Sequence, residues 1–315
     1  MRGASRRDGR HEVVSPVGHA LEISYEDQRA VITESGATLR AYEVGQRPVV
    51  EPFNGPGTAV VGCQGEVLAP WPNRIVNGRW SWDSTDLQLW ITEPDRGHAV
   101  HGLVRTMPWA VGDRKRASVT LEVTLLAHPG WPFPLRFGVA YALGAEGLVS
   151  TVTVTNIGGT PCPYGVGTHP YLAIPGGTAD DAVLHMAAST WLATDDRLIP
   201  TERRPTSQSP YDFDGVSPIG RRRVDNAFTD LARLPDGRVE AILASPDGRV
   251  TTIWGDSTVR WWQLFTGDAL PSPWRRSTIA LEPMTCAPNA LNSGEELLIL
   301  DPGASHSMTW GLRLS

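Results

Sequence analysis

Along the chain, apolar and polar residues alternate in short runs broken by glycine and proline, which is the period of half-buried β-strands. Leu21-Glu-Ile-Ser-Tyr25 alternates, Ala30-Val-Ile-Thr33 follows a polar turn, and Ser35-Gly-Ala37 makes the next break, so the opening segment reads as hairpins. The pattern returns at Val119–Leu126 and Leu148–Thr155. Two Pro-Asp-Gly-Arg turns, at Pro235 and Pro246, bracket Val239–Ser245, whose hairpin partner is Val250–Trp254. Trp261–Gly267, Glu296–Leu300 and His306–Arg313 are also strand-like. Pro52–Gly57 is a loop by composition. Asp180–Gly220 is polar and proline-punctuated, which predicts a long surface excursion, and Val224–Leu231 predicts a single helical turn. Nothing has the length and period of a substantial amphipathic helix.

A chain of 315 residues with 41% hydrophobic content can bury a large core. No stretch has linker composition, so a single domain is expected over residues 12–315, after a mobile tail at 1–11. The net charge of -6 supplies no broad basic field, which disfavours nucleic acid as a partner and favours a small neutral one. Cys63, Cys162 and Cys286 are widely spaced and odd in number, indicating neither a disulfide framework nor a zinc knuckle. A reducing, cytoplasmic location is therefore expected. Met1–Arg10 carries four arginines, but His11-Glu-Val-Val-Ser-Pro16 is too polar to be the apolar region of a secretory signal, and no apolar run approaches the roughly 18 residues of a membrane span. The oligomeric state, monomer or homodimer, is left open.

The candidate chemistry centres on Tyr164-Gly-Val-Gly-Thr-His-Pro-Tyr-Leu172. Gly165 and Gly167 allow close approach of another backbone or a ligand, Pro170 biases His169 towards extended geometry, and Tyr171 adds a flat apolar surface. An imidazole so held is either a proton-transfer group or a satisfied core histidine. Glu282 follows the apolar run Thr278-Ile-Ala-Leu281 and precedes Pro283, so burial should raise its pKa; the alternative is a carboxylate paired with an arginine. Two prolines in Leu68-Ala-Pro-Trp-Pro-Asn-Arg74 fix the approach to Asn73 and Arg74, and the Asn77-Gly78 turn puts Arg74 at or beside a hairpin. His98 and His101 share a glycine-bounded loop, but two histidines without a third ligand do not make a metal site, and none is assigned. Gly165-x-Gly167 lacks the third glycine of a dinucleotide fingerprint, and no nucleophile elbow or Walker loop occurs.

Taken together, Leu68–Trp80, Val100-His-Gly102, Gly167-Thr-His-Pro-Tyr171, Trp262-Gln-Leu-Phe-Thr-Gly267 and Leu281-Glu-Pro-Met-Thr-x-x-Pro-Asn-Ala-Leu-Asn292 resemble the aldose 1-epimerase (galactose mutarotase) family, in the family's order and over nearly the whole chain. The resemblance implies an all-β fold, one large antiparallel β-sandwich of the galactose-mutarotase type, with a sugar cleft on one sheet face and no cofactor. It implies that His169 is the general acid and Glu282 the general base of anomer interconversion on a small-molecule aldose. His101 joins them at the catalytic centre, and Arg74, Asn73, Asp225, Gln263 and Tyr171 are sugar-contacting or supporting. A base that acts ionised should lose activity as the pH drops through the Glu282 pKa. The chain departs from the family pattern in having His98 where an asparagine is common, Leu103 in place of a glycine and Leu172 in place of a phenylalanine. Two other readings stand beside this one: a non-catalytic sugar-binding or sensing domain, and an epimerase for phosphorylated hexoses that would use Arg221-Arg-Arg223 or Arg275-Arg276.

Overall fold

The alternating runs pair antiparallel into two large sheets in a computed structural model of the protein, which describes residues 15–52, 62–215 and 217–315. The tail expected at 1–11 and most of the Pro52–Gly57 loop lie outside the described residues. One sheet has eight strands, in the order Ala110–Lys115, Ser118–Leu125, Leu135–Gly144, Gly147–Asn156, Ser305–Leu314, Val250–Gly255, Val239–Ala244 and Val183–Met186. The larger sheet runs Ala20–Tyr25, Gln28–Thr33, Leu39–Val44, Arg47–Val50, Tyr171–Ala173, Thr278–Met284, Trp261–Phe265, Asp225–Leu231, Ala188–Thr194 and Pro200–Pro205. Gly167–Thr168 adds to Thr278–Met284, and Val67–Leu68 adds to Gly167–Thr168.

Leu135–Gly144 buries every second residue against the opposite sheet, as the alternation requires. One continuous apolar cluster fills the interior and holds many of the large aromatics; Trp80 stacks on Trp131 with ring centroids 5.3 Å apart. At about 25 cal/mol per Å² of apolar surface, such side chains dominate the folding energy. Thr278–Met284 is different, because all seven of its residues are buried. Covered on both faces, it reads as a continuous apolar run interrupted by Glu282. Gly165 and Gly167 serve this strand: a Cβ on Gly165 would lie 2.2 Å from Cys286 Sγ, and one on Gly167 would lie 3.0 Å from the Pro283 carbonyl. The close approach expected of these glycines is made by the protein's own chain.

Two sequence expectations are corrected. Asp180–Gly220 is not a structureless excursion, since it holds the strands Val183–Met186, Ala188–Thr194 and Pro200–Pro205. Pro200–Pro205 is an exposed edge strand, so it carries no burial alternation and tolerates a proline at each end. Val224–Leu231 is not a helical turn: Asp225–Leu231 is a strand pairing with both Ala188–Thr194 and Trp261–Phe265, whose ladders override its weak local preference. Among the described residues, the one α-helical stretch is Ala290–Ser293, and no helix is long and apolar enough to cross a membrane.

Candidate active site

His169 sits between the short strands Gly167–Thr168 and Tyr171–Ala173, its N–H donating to the Glu66 carbonyl and its own carbonyl accepting from the Gly65 N–H. The Tyr171 ring stacks parallel to the imidazole, with centroids 5.0 Å apart, and its hydroxyl donates to the Gly62 carbonyl. Antiparallel pairing with Tyr171–Ala173 and Trp261–Phe265 brings Thr278–Met284 alongside, and Glu282 Oε1 stands 3.2 Å from His169 Nε2. Both side chains are nearly inaccessible, and both line a cavity of about 300 Å³. Burial is the main cause of opposite shifts. The His169 pKa falls to about 3, with Arg105 and Arg74 pushing the same way. The Glu282 pKa rises well above the usual carboxyl range; the Asp225 charge adds to the rise and Arg74 opposes it. Burial thus favours the uncharged form of both members of the pair.

The short ladder between Arg74–Ile75 and Ala99–Val100 delivers the rest of the site. Thus the strand carrying Arg74 pairs with the segment leading to His101, while Arg79–Trp82 forms its own hairpin with Thr85–Gln88. The Asn73 N–H donates to His101 Nδ1 at 3.2 Å, and the His101 N–H returns to the Asn73 carbonyl. His101 lies edge-on to His169, with centroids 5.2 Å apart, and burial holds its pKa well below the usual value. It is therefore neutral, with Nδ1 accepting from the amide and the proton on Nε2. Arg74 Nε and Nη2 grip Glu93 at 2.8 and 3.1 Å, and Nη2 lies 3.8 Å from Asp225 Oδ2. Burial works against the guanidinium charge, but Asp225 and Glu93 outweigh it and raise the pKa. Gln263 Nε2 donates to Asp225 Oδ1 at 2.7 Å.

His169, Glu282, His101, Arg74, Asn73, Asp225 and Tyr171 thus meet at one cavity, whereas Gln263 stands behind Asp225. His98 goes elsewhere: fully buried, it accepts at Nδ1 from the Asn77 N–H and donates at Nε2 to the Arg197 carbonyl. His98 and His101 therefore share no centre. His101 instead meets His169 and Glu282, with ligand atoms all within 4.8 Å of one another, a spacing that a metal ion could bridge. Protonation argues against it. A metal-bound histidine donates its other ring N–H to an acceptor, but here His101 Nδ1 faces the N–H of Asn73, which leaves Nε2 protonated. Sequence reasoning missed Glu93 as the partner of Arg74, because a loop carboxylate has no periodicity to mark it. From the two arginine runs, only Arg223 lines this cavity or its neighbour, a space of about 450 Å³ sharing Asp225, Phe265 and Ala269. Arg223 lies 3.7 Å from Asp268, while Arg276 is committed to Asp180 and Asp268.

A profile of the aldose 1-epimerase family matches residues 20–313. The chain belongs to the aldose 1-epimerase family. An uncharacterized Escherichia coli K12 protein, YihR, is 31% identical over 296 residues, which cover 94% of this chain and 93% of that one. The fold of this aldose 1-epimerase family member is shared with the GalM/aldose epimerase homologue from C. elegans (TM-score 0.84, 19% identity, 94% and 98% of the two chains covered). It is shared too with galactose 1-epimerase from Lactobacillus acidophilus (TM-score 0.79, 16% identity, 99% and 97% covered).

Proposed function

We propose that the protein is a cofactor-independent mutarotase, an isomerase that interconverts the α and β anomers of a free, uncharged aldose. The observation that carries this reading is the 3.2 Å contact of a buried imidazole and a buried carboxyl at the wall of an open cavity. Ring opening of a hemiacetal takes a proton from the C1 hydroxyl and gives one to the ring oxygen. Both oxygens are bonded to the same carbon, so the base and the acid must be neighbours. Glu282 takes the hydroxyl proton as a carboxylate and His169 protonates the ring oxygen. The C1–C2 bond then rotates in the open aldehyde, and closure returns both protons. Each such group contributes typically about 10²–10⁴-fold.

Burial favours the neutral carboxyl and the neutral imidazole, so the active arrangement, carboxylate and imidazolium, needs a proton moved across the pair. A sugar hydroxyl donating to Glu282 favours the ionised carboxyl, and the Arg74 charge does so as well. His101 offers Nε2–H as a fixed donor, Asp225 accepts from a hydroxyl with Gln263 bracing it, and Asn73 and Tyr171 shape the wall. The cavity's arginines, Arg74 and Arg96, both hold Glu93, and Arg74 also faces Asp225, so the cations lining it are already matched by carboxylates, which opposes a phosphate dianion. That favours a neutral sugar over a phosphorylated one. The testing experiment is NMR exchange spectroscopy of anomers across free and phosphorylated aldoses, with chelator present. Acceleration for at least one free aldose is expected. Sugar binding without any acceleration would make the protein a binding module.

A further inference from the structure

Glu93 is a carboxylate whose grip on Arg74 uses both of its oxygens. Oε2 takes Arg74 Nε at 2.8 Å, while Oε1 takes Arg74 Nη2 at 3.1 Å and Arg96 Nη1 at 2.9 Å. The fork saturates one edge of the guanidinium and sets its plane. Its other carboxylate neighbour, Asp225 Oδ2, remains at 3.8 Å from Nη2, too far for a hydrogen bond. The loop carrying Glu93 is itself fastened. The Thr92 and Glu93 N–H groups both donate to the His98 carbonyl, and His98 is tied to Asn77 and Arg197. The Arg197 guanidinium, from the turn leading into Pro200–Pro205, donates to the Arg96 carbonyl and to Asn77 Oδ1. The His98 ring thus ties this loop to Asn77 and to the Arg197 turn.

We propose that Glu93 is a positioning residue of the sugar site: it holds the Arg74 guanidinium at the cavity wall and keeps it from closing on Asp225, so that Asp225 Oδ2 stays open to a sugar hydroxyl. The inference rests on the mutarotase reading for its kinetic consequence but not for its geometry. Without Glu93, the buried guanidinium's nearest carboxylate is Asp225, and a buried cation moves to a partner rather than stay unpaired. The lost acceptor appears in substrate binding, while the His169–Glu282 contact is untouched and the two opposed effects of Arg74 on that pair, favouring carboxylate and disfavouring imidazolium, largely offset.

The test joins kinetics to a direct view of the guanidinium. In Glu93→Gln, KM is expected to rise about tenfold with kcat within about threefold, and Glu93→Asp, which keeps the charge but falls short of the fork, should show the same split. In an Arg74→Gln background, Glu93→Gln should change KM less than twofold, since the residue acts through Arg74. The Arg74 Nε–H resonance, assigned by its loss in Arg74→Lys, should be protected from water exchange in wild type and broadened in both Glu93 variants. An unchanged resonance, or an equal KM effect in both backgrounds with a matching fall in Tm, would reduce Glu93 to a loop brace and overturn the proposal. If wild type exchanges no aldose, the mutarotase reading fails while the resonance still decides where Arg74 is held.

Discussion

His169→Asn separates a catalytic imidazole from a structural one, because burial gives the wild-type side chain a pH signature that the amide lacks. The folded imidazole titrates at about 3 against an ordinary 6.5. Below 6.5 the unfolded chain binds a proton that the folded one refuses, so folding stability falls as the pH drops from 6.5 towards 3. At about 1.4 kcal/mol per pH unit, the full window is worth about 5 kcal/mol, and the step from 6.5 to 4.5 about 3 kcal/mol. Asparagine does not titrate, so the variant escapes this loss. His101 and the carboxylates remain in both proteins and largely cancel in the comparison.

At pH 7.5 the variant should melt close to wild type. At pH 4.5 it should have lost about 3 kcal/mol less, which at roughly 2 °C per kcal/mol places its Tm about 6 °C above wild type. Turnover at pH 7.5 should fall by about 10²-fold or more, since the group that protonates the ring oxygen is gone. Scanning calorimetry at the two pH values and anomer-exchange NMR supply both readouts. Parallel loss of stability in the two proteins between pH 7.5 and 4.5 would refute the neutral, desolvated imidazole. A low Tm at pH 7.5 with normal turnover would make His169 a structural histidine.

Glu282→Gln should lower turnover by two to four powers of ten with sugar affinity retained by calorimetric titration, and unchanged turnover would remove Glu282 as the base. Its stability effect has the opposite pH sense. A carboxyl whose folded pKa is raised contributes most below the unfolded value near 4.5 and loses that contribution as the pH rises, so the variant should match wild type at pH 4 and melt higher at pH 8. The kcat/KM profile should be bell-shaped, falling on the acid side as the pair takes a second proton near His169's value of about 3, and on the alkaline side as Glu282 gives up the only one. A single acid limb in the ordinary glutamate range would show that Glu282 is not desolvated in solution, against the raised pKa that the sequence itself leads one to expect. Activity should survive chelator, because His101 presents N–H rather than a lone pair to the cavity; loss on chelation and recovery with zinc would overturn that tautomer.

Legibility in the sequence tracks burial geometry. Strands with one wet face, such as Gly147–Asn156, write their pairing as alternation and can be read directly. Asp225–Leu231 cannot, because its assignment rests on two neighbours from distant parts of the chain. Glu282 stands out because a carboxylate closing an apolar run is costly unless it is used, and His169 because glycine and proline constrain its backbone. Gln263 could be read only as sugar-contacting or supporting, because residue type does not say whether an amide faces the cavity or the neighbouring aspartate. Glu93 and Arg197 leave no local signal at all, since each acts by reaching across the fold to a loop or a guanidinium.

The two histidines and the glutamate oppose their own protein's stability in two overlapping pH windows. Below pH 6.5 the imidazoles refuse protons that the unfolded chain accepts, and above about 4.5 Glu282 keeps a proton that the unfolded chain releases. The same desolvation makes the pair responsive. With water excluded, a single nearby charge counts for more than it would at the surface, and the Arg74 charge acts on both residues. It draws Glu282 towards the carboxylate while discouraging imidazolium at His169, so its two effects on a shared proton oppose one another. Because they oppose, a swing of the guanidinium towards Asp225 should cost the Asp225 acceptor more than it disturbs the pair, which is why Glu93 variants are expected to move KM rather than kcat.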